Sequence, residues 1–176
     1  MRWRGLFAFA VPFVLLLGCY AALAQETWIT DARVTWYGVY QAGHDKVVDD
    51  KSSFTGIRTV STGIVPPTVN SDRIPAILNS RFGFAFVLSG TPTDAGAKLV
   101  KLRFVRNFPA DGIADPKTGE RRLREQGEYN FDISQSEYFC GYIFDRDEEL
   151  VPGQWSLEVW HGNRKLVEKS FTVFKP

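Results

Sequence analysis

Cysteine, histidine and methionine are scarce in this chain of 176 residues, which has two Cys, two His and one Met. A zinc site takes about four Cys, His or carboxylate ligands, and the chain from Gln25 onward offers one Cys and two His, so such a site is not expected. Charge of one sign is lacking too, since 21 Lys and Arg against 20 Asp and Glu leave a formal charge of +1. A nucleic-acid binder concentrates a basic surplus, and this balance argues against one. There is no Gly-x-Ser-x-Gly elbow, no Ser-x-x-Lys pair and no Gly-rich phosphate cradle, which removes the usual signatures of serine hydrolases and nucleotide enzymes. His44 and His161 both fall in turn-like sequence and read as solvated. No catalytic residue, metal site or cofactor is therefore expected.

Oxygen-only calcium sites need separate treatment. Asp145, Asp147, Glu148 and Glu149 stand together, and Asp111, Asp115 and Glu120 form a looser group. Arg146 interrupts the first run, and the repeated acidic spacing of a calcium loop is missing. Both groups read as solvated acidic loops.

Aromatic residues are plentiful at 14%, and 44% of the chain is hydrophobic, enough for a packed core. Much of the first apolar stretch reads as an address. Arg2 and Arg4 supply a positive start, Leu6 to Leu17 an apolar run too short to span a bilayer, and Ala22-Leu23-Ala24 a cleavage signal. A secretory signal over residues 1–24 is expected, cut between Ala24 and Gln25, with one β-sandwich domain over 25–176 and a periplasmic or secreted destination. The alternative is a lipoprotein anchored through Cys19, because Leu16-Leu17-Gly18-Cys19 resembles a lipoprotein box. Its weakness is that Tyr20-Ala21-Ala22-Leu23 remains apolar. After cleavage Cys140 stands alone, in the apolar run Tyr138 to Phe144, and reads as an inert core thiol. No transmembrane span is expected in the mature chain.

Strand signals dominate the mature chain. Arg33 to Tyr40 alternates, with Val34, Trp36 and Tyr40 on one face; Gly43 to Lys46 reads as a loop. Thr55 to Val65 and Phe82 to Leu88 are further strands, and Gly90 to Asp94 is a turn. Lys98 to Arg106 alternates, with Leu102 and Phe104 opposite Lys101, Arg103 and Val105, as a half-exposed strand would. Phe108 to Gly119 reads as loop, and Arg121-Arg122-Leu123-Arg124 as a solvated strand edge. Glu128 to Ile133 and Tyr138 to Phe144 are two more strands. The end is a hairpin: Trp155, Leu157 and Val159 share a face, His161 to Arg164 turns, and Lys165 to Phe174 returns with Phe171 and Val173 inward. Seven or eight such strands predict an all-β fold, an antiparallel two-layer immunoglobulin-like sandwich, with a small β-barrel as the alternative.

Thr35-Trp36-Tyr37-Gly38-Val39-Tyr40, Arg81-Phe82-Gly83-Phe84, Pro152 to Trp160 and Leu166 to Phe171 together resemble an exported proteobacterial family, the domain of unknown function 3859. The likeness runs from about Asp31 to Phe174. It implies the fold and the compartment, and transfers no functional residue.

Aromatic surface is then the main functional signal. Trp160 should point away from Trp155, Leu157 and Val159, with Leu166 beside it across the turn, and an exposed Trp next to an aliphatic group suits a partner interface. Trp28 is a weaker candidate of the same kind. The expected function is a non-catalytic binding module for another envelope protein. The alternative is a small-molecule or carbohydrate-binding module with Trp36, Tyr37 and Trp160 as stacking platforms; a hydrolase ranks third.

Overall fold

The structure is a computed structural model that describes residues 28–50, 56–90, 96–115 and 118–176. The signal segment 1–24, the Cys19 box and most of the Gly90–Asp94 turn lie outside the described residues.

Two open β-sheets face one another. The smaller has three strands, β1 (Ile29–Val39), β5 (Arg81–Gly90) and β10 (Tyr138–Ile143), in the order β1-β5-β10. The larger has five, β4 (Arg73–Pro75), β6 (Leu99–Asn107), β9 (Arg124–Asp132), β11 (Gly153–His161) and β12 (Arg164–Phe174), in the order β4-β12-β11-β6-β9. Neighbours pair antiparallel except short β4, which joins β12 in parallel. Neither sheet closes on itself, so the sandwich expectation holds and the barrel does not. β2 (Gln41–Asp49) and β3 (Ile57–Val65) form a separate two-stranded arm, and β7 (Ile113–Ala114), inside the stretch expected to be loop, pairs with β8 (Arg121–Arg122).

Period-two alternation builds the core. Phe82, Phe84 and Phe86 of β5 point inward and meet Trp155, Leu157 and Phe171 from the opposite sheet, all at 0% exposure. Trp155 is ringed by Phe108, Tyr142, Phe144 and Phe82 at centroid distances of 5.0 to 5.8 Å. Its indole N–H, which burial would otherwise strand, donates to the Val151 carbonyl at 2.9 Å. Cys140 is fully buried, and burial pushes its thiol pKa up to about 12, so it is chemically quiet.

Several local expectations need correction. Gly43 to Lys46 lies within β2, because the arm stands away from the core and carries no apolar alternation to mark it. His44 is thus an exposed strand residue, and His161 closes β11 with only 4% exposure. Val105 is buried, so β6 is covered on both faces near its end. In β1 a register shift between Val34 and Trp36 changes the alternation. Val34 and Tyr37 pack towards the core, while Trp36 turns to the outer face.

Gly38, Gly83 and Gly141 are register partners across the smaller sheet. The Phe139 ring occupies the space that Gly83 and Gly141 leave: a Cβ on Gly83 would stand 2.9 Å from it and one on Gly141 2.5 Å.

Candidate functional site

A three-stranded sheet cannot cover a five-stranded one. β1 packs against β12 and β4, and β10 against β11, so the inner faces of β6 and β9 extend past the edge of the smaller sheet. Along β6 the inward phase runs Val100, Leu102, Phe104, Arg106; along β9 it runs Phe131, Tyr129, Gly127, Glu125, each opposite its β6 partner. The arm lies over this overhang. Between arm, overhang and β10 is a cavity of about 390 Å³ that wraps the edge of β10, with Tyr142 on one side and Phe139 on the other.

The floor is aromatic and ionic. Phe104 stacks on Phe131 at 5.3 Å and meets Tyr129 edge-on at 5.6 Å. Gly127, opposite Phe104, adds no side chain there. Arg106 is 8% exposed, and its Nη1 lies 3.5 Å from Glu125 Oε1. Burial is the largest influence and disfavours the guanidinium charge, but Glu125, Cys140 and Tyr129 together outweigh it and the Arg106 pKa rises. Burial raises the Glu125 pKa, with Arg106 pulling the other way. Among the described residues Arg106 Nε has no hydrogen-bond partner.

The arm supplies the roof. Asp50 accepts a hydrogen bond from the Tyr129 hydroxyl at 3.1 Å and lies 3.3 Å from Arg58 Nε, and the Arg58 guanidinium sits 4.4 Å from the Tyr129 ring centre. At the far end Arg81 pairs with Asp45.

The third wall follows β10. Glu149, in a short 3-10 turn (Asp147–Glu149), is 5% exposed, so the acidic segment expected to be solvated in fact sends one carboxyl inward. It accepts hydrogen bonds from the Tyr142 hydroxyl at 3.1 Å and from the backbone N–H groups of Asp145 and Arg146 at 2.6 and 3.2 Å. Burial is the larger influence and pushes its pKa up to about 7, against those bonds. Glu137 accepts from Thr35 Oγ1 at 2.5 Å and Trp36 Nε1 at 3.3 Å. Among the described residues no group of His, Cys, Asp or Glu could hold a metal ion, and no helix is long and apolar enough to cross a membrane.

The aromatic residues singled out by sequence do not converge. Trp36 stacks on Phe139 at 5.5 Å, behind the cavity wall, while Tyr37 faces inward with Lys169 Nζ 3.8 Å from its ring centre. Trp160 sits on the larger sheet, half-buried, with its N–H on Glu158 at 2.6 Å and Arg103 and Lys165 over its ring. A register shift after Val159 puts Lys165, not Leu166, opposite Trp160, and Leu166 packs against the core instead. Trp28 lies edge-on to His161 at 6.4 Å. The sequence pattern did not single out Arg106 or Glu125, and Glu149, expected in a solvated acidic loop, is buried. Arg106 carried a usable signal, since it is in phase with Leu102 and Phe104; Glu149 carried none.

A solved structure described as an immunoglobulin-like protein from Pseudomonas aeruginosa is similar to this chain, with 25% identity and a TM-score of 0.57, covering 82% of this chain and 98% of that one. The sandwich is accordingly immunoglobulin-like. No protein of curated function matches. A family model matches residues 30–173, from the opening of β1 to the close of β12, and the chain belongs to that family, the domain of unknown function DUF3859.

Proposed function

We propose that this chain is an exported, non-catalytic binding module that holds a small molecule in the cavity beneath the arm. The overhang carries this reading: inner-face positions of β6 and β9, which elsewhere would be filled by core, line a space with rings and charged pairs. Such a mixture of apolar wall and a few fixed polar groups is what small-ligand sites use. The carboxylates are held by the chain's own groups, Glu125 by Arg106, Asp50 by Arg58 and Tyr129, Glu149 by Tyr142 and two backbone N–H groups. That arrangement suits recognition better than proton transfer.

The test is a nuclear magnetic resonance titration of the isotope-labelled protein with a chemically diverse fragment set. Compounds that shift the resonances of Tyr129, Arg106 and Tyr142 support the reading. A set that leaves all three unmoved removes it.

Export rests on Arg2, Arg4, the apolar run and Ala22-Leu23-Ala24. Cell fractionation with N-terminal sequencing decides it: a periplasmic chain beginning at Gln25 supports soluble export, and a lipidated Cys19 supports the anchored form. An envelope-protein partner at the Trp160 face is the second reading. It is favoured by a half-exposed indole flanked by Arg103 and Lys165 on the outer face of a regular sheet.

A further inference from the structure

We propose that the small molecule held beneath the arm is a short extended peptide with a basic side chain, which pairs with the free edge of β10 as a fourth strand of the smaller sheet. This inference rests on the cavity being the binding site. Among the described residues β10 pairs only with β5. Along an antiparallel ladder, alternate residues turn their N–H and C=O groups towards a given neighbour and away from it. The phase is fixed where the two strands meet. The Arg81 carbonyl accepts from the Tyr40 N–H at 3.1 Å, on the β1 side, and the Phe144 N–H donates to the Ser80 carbonyl at 3.1 Å. Cys140 and Tyr142 therefore bond to β5, while Phe139, Gly141 and Ile143 direct their backbone groups to the free edge. All three line the cavity, and Gly141, without a side chain, can do so only through its backbone.

Open edges invite pairing, and the other edges of the two sheets carry defences against it. β1 has Asp31, Arg33 and two register shifts, β9 has Arg124, Glu125 and Glu128, and β4 is three residues long. β10 has no charged residue, no proline and an unbroken register. A strand added to it would lie over the β6–β9 overhang, with its inward side chains on Phe104 and Phe131. At a rise of about 3.4 Å, a strand spacing of about 4.8 Å and a sheet spacing of about 10 Å, one residue takes about 160 Å³, so the cavity of about 390 Å³ holds about two or three. Charge selects the side chain. Arg58 pairs with Asp50 and Arg106 with Glu125, which leaves Glu137, Asp145 and Glu149 on the wall without a salt bridge among the described residues. A cationic side chain enters a field of opposite sign there, and an acidic one a field of its own. An amine without a peptide backbone would meet the carboxylates but leave the edge unpaired.

Four probes, titrated into the isotope-labelled protein, separate backbone from charge: alanyl-lysyl-alanine with blocked ends, its glutamyl counterpart, the lysyl peptide methylated on its backbone nitrogens, and butylamine. The lysyl peptide should move the amide resonances of Phe139, Gly141 and Ile143 and slow their hydrogen exchange. The other three should bind at least about tenfold more weakly, each lacking either the strand pairing or the charge. Ile143→Pro removes one edge N–H and leaves the ladder to β5 intact, so it should weaken the lysyl peptide in the same direction. If that variant does not fold, the methylated peptide makes the same comparison on the parent protein. Binding of the methylated peptide, the glutamyl peptide or butylamine as tight as that of the lysyl peptide overturns the inference, as does lysyl binding unchanged in the folded variant. So does silence from every peptide while other fragments occupy the cavity, an outcome that leaves the proposed function standing. Silence from all compounds removes both.

Discussion

The two flanks of the sandwich bury their inner faces by different means. On the β11–β12 flank Trp155, Phe82, Phe144 and Phe171 interlock at 0% exposure, and the one polar atom of Trp155 is paired with a nearby carbonyl. On the β6–β9 flank the same inward phase delivers Arg106, Glu125 and Tyr129, and part of the interior is open. Strand count accounts for the difference. Where a facing strand exists, apolar side chains fill the gap; where it does not, the chain keeps charged pairs that a hydrophobic filling would make unnecessary. A sheet wider than its partner therefore has a structural part and a part available for other work.

Substitutions on the two flanks should fail differently. Trp155→Ala should cost about 4–5 kcal/mol in urea-unfolding free energy, since a large cavity opens among rings that cannot collapse onto it. The milder Phe171→Leu should cost much less, and equal losses would mean that the flank is not close-packed. Arg106→Met should cost about 3–4 kcal/mol, because it leaves Glu125 buried without its cation. The double change Arg106→Met with Glu125→Leu should return to within about 1 kcal/mol of the parent. A double variant as weak as the single one would show that the pair itself holds the flank together.

Glu149 sharpens the contrast through pH. Its folded pKa of about 7 lies above the ordinary value of 4.5. The folded state then holds a proton that the unfolded chain has released, so this group's contribution falls as pH rises from about 4.5 to 7 and is level above that. Comparing the parent with Glu149→Gln across this window isolates the effect, which should reach about 2–3 kcal/mol. Parallel stability curves would refute the buried assignment. The smallest change is expected at Trp160→Ala, about 1 kcal/mol, because Glu158 keeps Asn107 and Lys165 as partners.

The legibility of the sequence divides along the same line. Trp155, Leu157, Val159, Phe171 and Val173 declared their face because one side of the hairpin is buried and the other is not. β2 was illegible because it rests on no core, so Gly43 to Lys46 looked like a loop. Trp36 does not share a face with Val34 because a register shift in β1 inverts the alternation without leaving a trace in composition. Glu149 could not be read at all, since an acidic residue in an acidic turn signals solvent. Its burial is decided by β10 and the 3-10 turn meeting in space.

The arm's attachment has a kinetic consequence. Charged groups tie the arm to the sandwich: Asp45 with Arg81, Asp50 with the Tyr129 hydroxyl, and Arg58 over the Tyr129 ring. Charges near the surface are screened within about 8 Å at physiological ionic strength and within about 3 Å in molar salt. Added salt should therefore loosen the roof while the aromatic flank, held by burial, is unaffected. Amide hydrogen exchange in β2 and β3 should quicken with salt while exchange in β11 and β12 does not, making ionic strength the variable that sets how firmly the arm is held down.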